Sequence, residues 1–390
     1  MNTMEHLSLP VALKSVESHV FRVPLAKPVS TSFGTMRDRP AVLVRLEDTD
    51  GHAGWGEIWC NWPACGAEHR ARLLISDIAP RVLGKPLPAP ADLWTELSAA
   101  TEILALQTGE TGPYAQVIAG FDMAYWDLTA RRQGVPLAEA LSPGADRGVR
   151  AYASGIHILD AEAVIAQSRS VGYRDFKVKV GFDFDRDLAL IRNLSENLRT
   201  GERLHADANQ GFTPQEAGAF LLAAEDLGLG WMEEPVRVDA GPAVWAELAR
   251  LTAIPLAGGE NLIGLAAFDT AIAAGHLSVI QPDAAKWGGP SGCLAVARAA
   301  LRAGRRYCPH FLGAGIGLVA SAHILAAAGG DGLLEIDVNP NPLRDAVTPA
   351  WPDLAEGRVA LPDAPGIGVE PDLGRLEPFR TALLRAGDAT

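Results

Sequence analysis

DFKVKV, residues 175–180, and RLHADAN, residues 203–209, share one plan: a short, largely apolar run that carries charged or amide side chains towards its carboxyl end. The plan recurs. VRAYASG (149–155) precedes them, and GWMEEP (230–235), IPLAGGE (254–260), LSVIQPD (277–283), RRYCPH (305–310) and LLEIDV (333–338) follow. Most of these runs lead into an alanine- and leucine-rich segment of helical character. Strands alternating with helices predict a parallel sheet. Eight such units, recurring at roughly 30 residues, predict an α/β fold closed into a (β/α)8-type barrel, a modified TIM barrel over residues 149–350. The rival, an open doubly wound sheet, lacks a Gly-x-Gly-x-x-Gly phosphate loop after its first strand.

Outward from the barrel, residues 1–140 read as an α+β capping domain. A strand is expected from Val20 to Leu25. AVLVRLEDTDGHAGWGEIW (41–59) reads as two strands joined at Asp50-Gly51, because glycine tolerates the positive φ of a tight hairpin. CNWPACGAEH (60–69) reads as a loop, and 71–83, 92–106 and 114–134 as helices. In the last of these, Ile118, Phe121, Tyr125 and Leu128 share one face, and Gly134 with Pro136 marks its end. Residues 141–148 form a connector. The tail, 351–390, is turn-rich with a short β run and is expected to return to the capping domain.

The chain has 390 residues, 34 Lys plus Arg and 47 Asp plus Glu, for a net charge of −13. So acidic a surface has no general attraction for phosphate backbones or anionic lipid, which argues against nucleic-acid and membrane partners. No stretch has the roughly 18 apolar residues of a membrane span. The first 21 residues lack the basic start of a secretory signal. Cys60, Cys65, Cys293 and Cys308 show neither metal-ligand spacing nor a disulfide framework. Cys60 and Cys65 could meet in a loop, but buried free thiols in a reducing, cytoplasmic compartment are expected.

The active end of such a barrel is the carboxyl end of its strands. There the sequence sets Lys177 and Lys179, Asp207 and Asn209, Glu233 and Glu234, Glu260, Asp283, His310 and Glu335. Buried charges are costly unless paired or metal-bound, so charges on successive strands point to a shared site. Asp207, Glu233 and Glu260 form an all-oxygen set that suits Mg²⁺ or Mn²⁺. Lys177 and Lys179 lie two apart, on the face opposite Phe176, Val178 and Val180, so they point into the barrel. Their mutual repulsion, close to a divalent cation, is expected to lower the pKa of at least one, giving a base. Asp283 can hold His310 in one tautomer as a general base or acid. Glu335 is expected either to donate a hydrogen bond to substrate, if burial protonates it, or to pair with a lysine.

Together KVKVGF, HADANQG, MEEP, GGEN, QPDAAKWGG, CPHFLGAGIG and LLEID resemble the enolase superfamily, in its mandelate racemase branch, over nearly the whole chain. The resemblance implies Asp207, Glu233 and Glu260 as Mg²⁺ ligands, with Lys179, tuned by Lys177, and His310, paired with Asp283, as bases on opposite faces of the substrate. It implies removal of a proton α to a carboxylate, a pattern known for this superfamily. Dehydration of an acid sugar to a 2-keto-3-deoxy acid is the first expectation. Epimerisation of a hydroxy or amino acid derivative and lactone cycloisomerisation are alternatives. A Schiff-base aldolase using a barrel lysine is a more remote one and leaves the three carboxylates unexplained. Trp59, Trp62 and Phe33 in the cap, with Asn209 and Phe311 at the mouth, are expected to contact a small-molecule carboxylate substrate. Arg37 or Arg70 is a candidate for a distal carboxylate. Relatives of this kind imply a homo-oligomer, dimer or octamer.

Overall fold

The computed structural model describes residues 11–31, 34–349 and 351–388. Three antiparallel strands, β1 (Val11–Thr31), β2 (Gly34–Asp48) and β3 (Ala53–Ile58), build the capping sheet. The β2–β3 turn falls at the expected Asp50-Gly51, where Gly51 has φ 87°. Asp48 Oδ1 closes that turn by accepting from the Asp50 and His52 amides at 3.0 and 2.8 Å. β1 runs well beyond the expected Val20–Leu25, and β4 (Pro86–Leu87) pairs with its start.

Helix α1 (Gly66–Leu73) begins inside the stretch read as a loop. The helix expected over 71–83 is interrupted by a π turn at Leu74–Ile78 before α2 (Ala79–Val82). Pro80, at the start of α2, has no N–H to donate, and the turn before it widens instead. Next come α3 (Pro90–Thr108), α4 (Thr111–Gln133), which ends at Gly134 with φ 70°, and the short α5 (Leu137–Leu141). Helix α4 lies directly on β3. A Cβ on Gly54 or Gly56 would collide with the α4 backbone at Ala124 or Gly120, so only glycine permits this approach.

The eight expected barrel strands are all present. They are β5 (Gly148–His157), β6 (Asp175–Lys179), β7 (Arg203–Asp207), β8 (Met232–Glu233), β9 (Leu256–Gly258), β10 (Val279–Ile280), β11 (Arg306–Tyr307) and β12 (Leu333–Asp337). Between them lie α6 (Ala161–Ser170), α7 (Phe184–Glu196), α8 (Pro214–Ala223), α9 (Pro242–Leu251), α10 (Leu265–Ala274), α11 (Gly289–Arg302) and α12 (Ile316–Ala328). Neighbouring strands pair in parallel from β5 to β11, and β12 pairs in parallel with β5. Between β11 and β12, among the described residues, side chains replace the backbone ladder. The Leu333 amide donates to Cys308 Sγ at 3.3 Å and the Phe311 amide to Glu335 Oε2 at 3.1 Å.

Beyond the barrel, β13 (Leu354–Ala355) and β14 (Arg358–Ala360) form a hairpin whose second strand pairs with β5. β15 (Arg380–Gly387) then crosses to the capping sheet and pairs antiparallel with β1. All four cysteines are free; Cys60, Cys293 and Cys308 are buried, but Cys65, just ahead of α1, is exposed rather than buried. Among the described residues no helix is long and apolar enough to cross a membrane.

Two aspartates of α4 fasten the cap to the rest of the molecule. Asp127 accepts from the Trp55 and Ile367 amides, both at 2.7 Å. Asp122 accepts from the Ser291 amide at 2.9 Å and its hydroxyl at 2.8 Å, at the start of α11. Burial pushes the Asp122 carboxyl up to about 8, against the opposing effect of those hydrogen bonds. A raised carboxyl holds its proton in the native state where the unfolded chain has already lost it. Its contribution therefore favours folding at low pH and declines as pH rises from about 4 to about 8. Asp122→Asn should flatten that decline. Thermal melts of both proteins from pH 5 to pH 9 measure it, and parallel curves would remove the assignment.

Candidate active site

The alternation of β6 sends Phe176, Val178 and Val180 into the core under the outer helices and both lysines into the barrel, as expected. Beneath the charges, Tyr152, Trp231, Ala257, Val279, Cys308 and Leu333 form an apolar layer across the barrel. Lys177 Nζ stands 5.4 Å from the centre of the Tyr152 ring. It donates to both Glu233 oxygens, at 2.7 and 2.8 Å, and lies 2.8 Å from Glu335. Glu233 also accepts from Gln281 Nε2 at 2.7 Å and from Trp231 Nε1 at 3.2 Å. Lys179 Nζ donates to Asp207 Oδ2 at 2.5 Å, and the Asn209 amide donates to Asp207 Oδ1 at 2.7 Å.

Glu260 follows β9 and accepts from Lys286 Nζ at 3.0 Å. Lys286 also donates to Asn261 Oδ1 at 2.7 Å and lies 4.9 Å from the Trp59 ring centre. Asn261 Nδ2 in turn reaches Glu234, at 2.9 and 3.0 Å from its two oxygens. Across the mouth, His310 Nδ1 faces Asp283 Oδ2 at 2.7 Å. Asp283 is itself fixed by the Ala285 and Lys286 amides, at 2.8 and 3.0 Å. This leaves His310 Nε2 towards the site, 3.5 Å from Glu260. Asn209, Gln210 and Glu234 all have positive φ, 43°, 64° and 38°, which concentrates backbone strain around the carboxylates.

The protein's own charges work against the expected lowering at the lysines and, of the two readings of Glu335, favour the lysine pair. Burial alone would lower the pKa of both lysines. The carboxylates outweigh it: Glu233 and Glu335 around Lys177, and Asp207 at Lys179, raise both above the ordinary range. Glu335 stands 2.8 Å from Lys177 Nζ. Burial pushes its carboxyl up, but Lys177, His310 and Lys179 together hold it below the usual carboxylate range, so its role here is the lysine pair. For His310, burial opposes charge, but Glu260, Glu335 and the Asp283 hydrogen bond raise it to about 10. Burial, with Asp207 and Glu335 nearby, raises Glu233. Burial and Glu260 raise Glu234.

Asp207, Glu233 and Glu260 thus occur on or just beyond three consecutive strands, each held by a different ammonium. A hard divalent cation fits this donor set, whose members are all carboxylates from one end of the barrel. Asp207, Glu233 and Glu260, tied to their ammonium partners, do not converge as closely as Asp48, Asp50 and His52, the one group among the described residues that brings three potential ligand atoms within 4.8 Å of one another. It sits on the β2–β3 turn, where the Arg132 guanidinium already bridges Asp48 and Asp50, so a cation there would have to displace an arginine.

Of the expected substrate contacts, Trp59 and Trp62 are half-buried in the cap, Trp62 beside Gly34. The Phe311 ring is buried against Gly313 and Gly317. Phe33 lies outside the described residues. Arg37 is exposed, whereas Arg70 is buried in the cap and donates to Gln116 at 2.8 Å. Sequence reasoning missed Lys286, Asn261 and Gln281 as members of the network. It also missed Glu57, whose carboxylate on β3 accepts from the Ala314 and Gly317 amides at 2.5 and 3.0 Å. The Trp59 amide meets Ala285 O at 3.0 Å, so the cap grips the loops of both His310 and Asp283. Burial raises Glu57 to about 7 despite those amides. Glu57→Ala should loosen residues 311–317, seen as faster amide exchange there, and slow turnover at least tenfold, about 1.4 kcal/mol of barrier. Unchanged exchange in that loop would refute the clasp.

Fold and site together define an enzyme of the enolase superfamily. Residues 15–142 match the mandelate racemase/muconate lactonizing enzyme N-terminal domain, and residues 160–375 the enolase C-terminal domain-like family, so the chain belongs to this branch of the superfamily. It is 30% identical over 383 residues to D-galactarolactone cycloisomerase of Agrobacterium fabrum, covering 94% of this chain and 98% of that one. Among solved structures, a mandelate racemase/muconate lactonizing enzyme from Bordetella bronchiseptica RB50 is 51% identical, with TM-score 0.89 over 95% of this chain and 100% of that one. L-talarate dehydratase from Polaromonas sp. JS666, complexed with Mg and L-glucarate, is 26% identical, with TM-score 0.84 over 97% of this chain and 100% of that one.

Proposed function

We infer that the protein removes the proton α to a carboxylate and then expels a β-oxygen, with an acid sugar as substrate and a 2-keto-3-deoxy acid as product. The observation that carries this reading is the flanking of one carboxylate arc by two proton-transfer groups: Lys179 touches Asp207 at one end, and His310 faces Glu260 at the other. A substrate carboxylate bound between them offers its α-carbon to a different group on each side. Lys179 must first release the proton that Asp207 favours; as the free amine it takes the α-proton, and the C–H electron pair moves into the carboxylate as an enediolate. His310, held by Asp283, gives a proton to the departing hydroxyl, which leaves as water. The resulting enol tautomerises to the keto acid. Lys177, tied to Glu233 and Glu335, keeps a positive charge beneath the site. A divalent cation, Mg²⁺ or Mn²⁺, on Asp207, Glu233 and Glu260 would supply the charge that makes the α-proton removable.

The likeness to D-galactarolactone cycloisomerase supports a second reading of the same chemistry, in which the expelled oxygen belongs to a lactone ring that opens. Both are tested by incubating the protein with acid sugars and their lactones, with Mg²⁺, in deuterated water. Keto acid from the open sugar supports dehydration, and keto acid from the lactone alone supports ring opening. Deuterium at the α-carbon without keto acid would replace both with epimerisation.

A further inference from the structure

We propose that the opposite end of the barrel holds a second binding site, for a small anion carrying at least two negative charges. At the amino ends of the barrel strands from β7 to β11 a cavity of about 710 Å³ opens, lined by Arg203, Arg305, Arg306, Ser278 and Asp331, among others. A volume of this order suits a small metabolite. Its charge is unusual for this molecule. The chain as a whole is at −13, yet three arginines line this cavity with one carboxylate residue.

Arg306 satisfies that carboxylate, donating to Asp331 Oδ2 at 3.0 and 2.6 Å. Arg203 and Arg305 have no such partner: among the described residues neither side chain makes an ion pair or a hydrogen bond. Other arginines of this fold do pair, as Arg169 does with Glu202 and Arg192 with Asp226. Arg305 is half-buried, and its Nε is buried with no acceptor offered by the protein. Arg203 is exposed, and the Arg305 guanidinium lies against Gly275 at the end of α10; both can turn towards an anion in the cavity, whose carboxylate or phosphate oxygens guanidinium groups bind in pairs. The floor of such a barrel takes no part in the chemistry at its mouth, so catalysis leaves these two charges unused, although Arg203 also helps hold the charge of the buried Asp175.

The test is calorimetric titration of the metal-free protein with pyrophosphate and, separately, with citrate at low salt. Wild type should bind at least one of them at a single site, and the tighter of the two assigns a phosphate or a polycarboxylate as the natural class. Arg305→Gln should weaken binding at least tenfold, and Arg203→Gln with Arg305→Gln should abolish it. Lys179→Met, at the far end of the barrel, should leave it unchanged. Circular dichroism of each variant establishes that it is folded. No binding of either anion by wild type would overturn the proposal. So would binding that survives the double arginine change, or that is lost with Lys179→Met.

Discussion

His310→Asn should stop keto-acid formation, with turnover falling by roughly two to four orders of magnitude, the usual scale of a lost general acid. The imidazole is fixed from behind: Asp283 holds Nδ1 at 2.7 Å and is itself clamped by two backbone amides. Asparagine keeps the polarity but cannot deliver a proton from the Nε2 position. Lys179 stays on β6 beside Asp207 and, as the free amine, remains a base, so the α-proton should still exchange with deuterated water in this variant. Lys179→Met should do the converse and lose that exchange. Mass spectrometry of the recovered substrate separates the two variants. If both steps vanish together in His310→Asn while Lys179→Met keeps exchange, then His310 performs both. If neither change alters a rate by more than about tenfold, the pair is not the acid–base machinery.

Glu233→Gln should have the second large effect, on two quantities at once. Glu233 is the hub of the buried network, with Lys177, Gln281 and Trp231 all donating to it. Losing its charge takes one of three carboxylates from the cation-binding set, so calorimetric titration should show Mg²⁺ affinity lowered at least tenfold and turnover lost. Breaking a buried ion pair costs about 3–5 kcal/mol. Lys177 retains Glu335 at 2.8 Å, so the lower end, about 3 kcal/mol, is expected in urea unfolding. Activity that persists in excess chelator would dismiss the cation altogether, whereas wild-type Mg²⁺ affinity in Glu233→Gln would dismiss only this ligand.

The barrel was legible because its strands announce themselves twice, by an apolar run and by the charged group at the run's end. Lys177 and Lys179 could even be aimed, since a two-residue repeat admits only two faces. The rest was hidden for physical reasons. Lys286 and Asn261 sit in turns, where no periodicity says which way a side chain points. The carboxylates that favour charge on the lysines stayed out of view, because repulsion between neighbours in sequence is visible, whereas Glu233, Glu335 and Asp207 arrive from other strands. Glu57 lies in a cap strand far from the barrel in sequence, and only the folded chain brings it to the loop beyond His310. The π turn before α2 is a local compromise around Pro80 that a helical pattern conceals.

The partnership of β15 with β1 fixes an order of events during synthesis. A ribosome makes β1, β2 and β3 first, then the entire barrel, and only afterwards the strand that completes the capping sheet. Until then the outer edge of β1 presents unpaired backbone groups to its surroundings, as any open sheet edge does. The barrel strands pair among themselves and can settle against the cap strands already made, before the capping sheet is complete. A nascent chain stalled just short of residue 380 should thus hold a folded barrel beside an unfinished lid, and be most prone to mispair with a neighbouring chain at that moment.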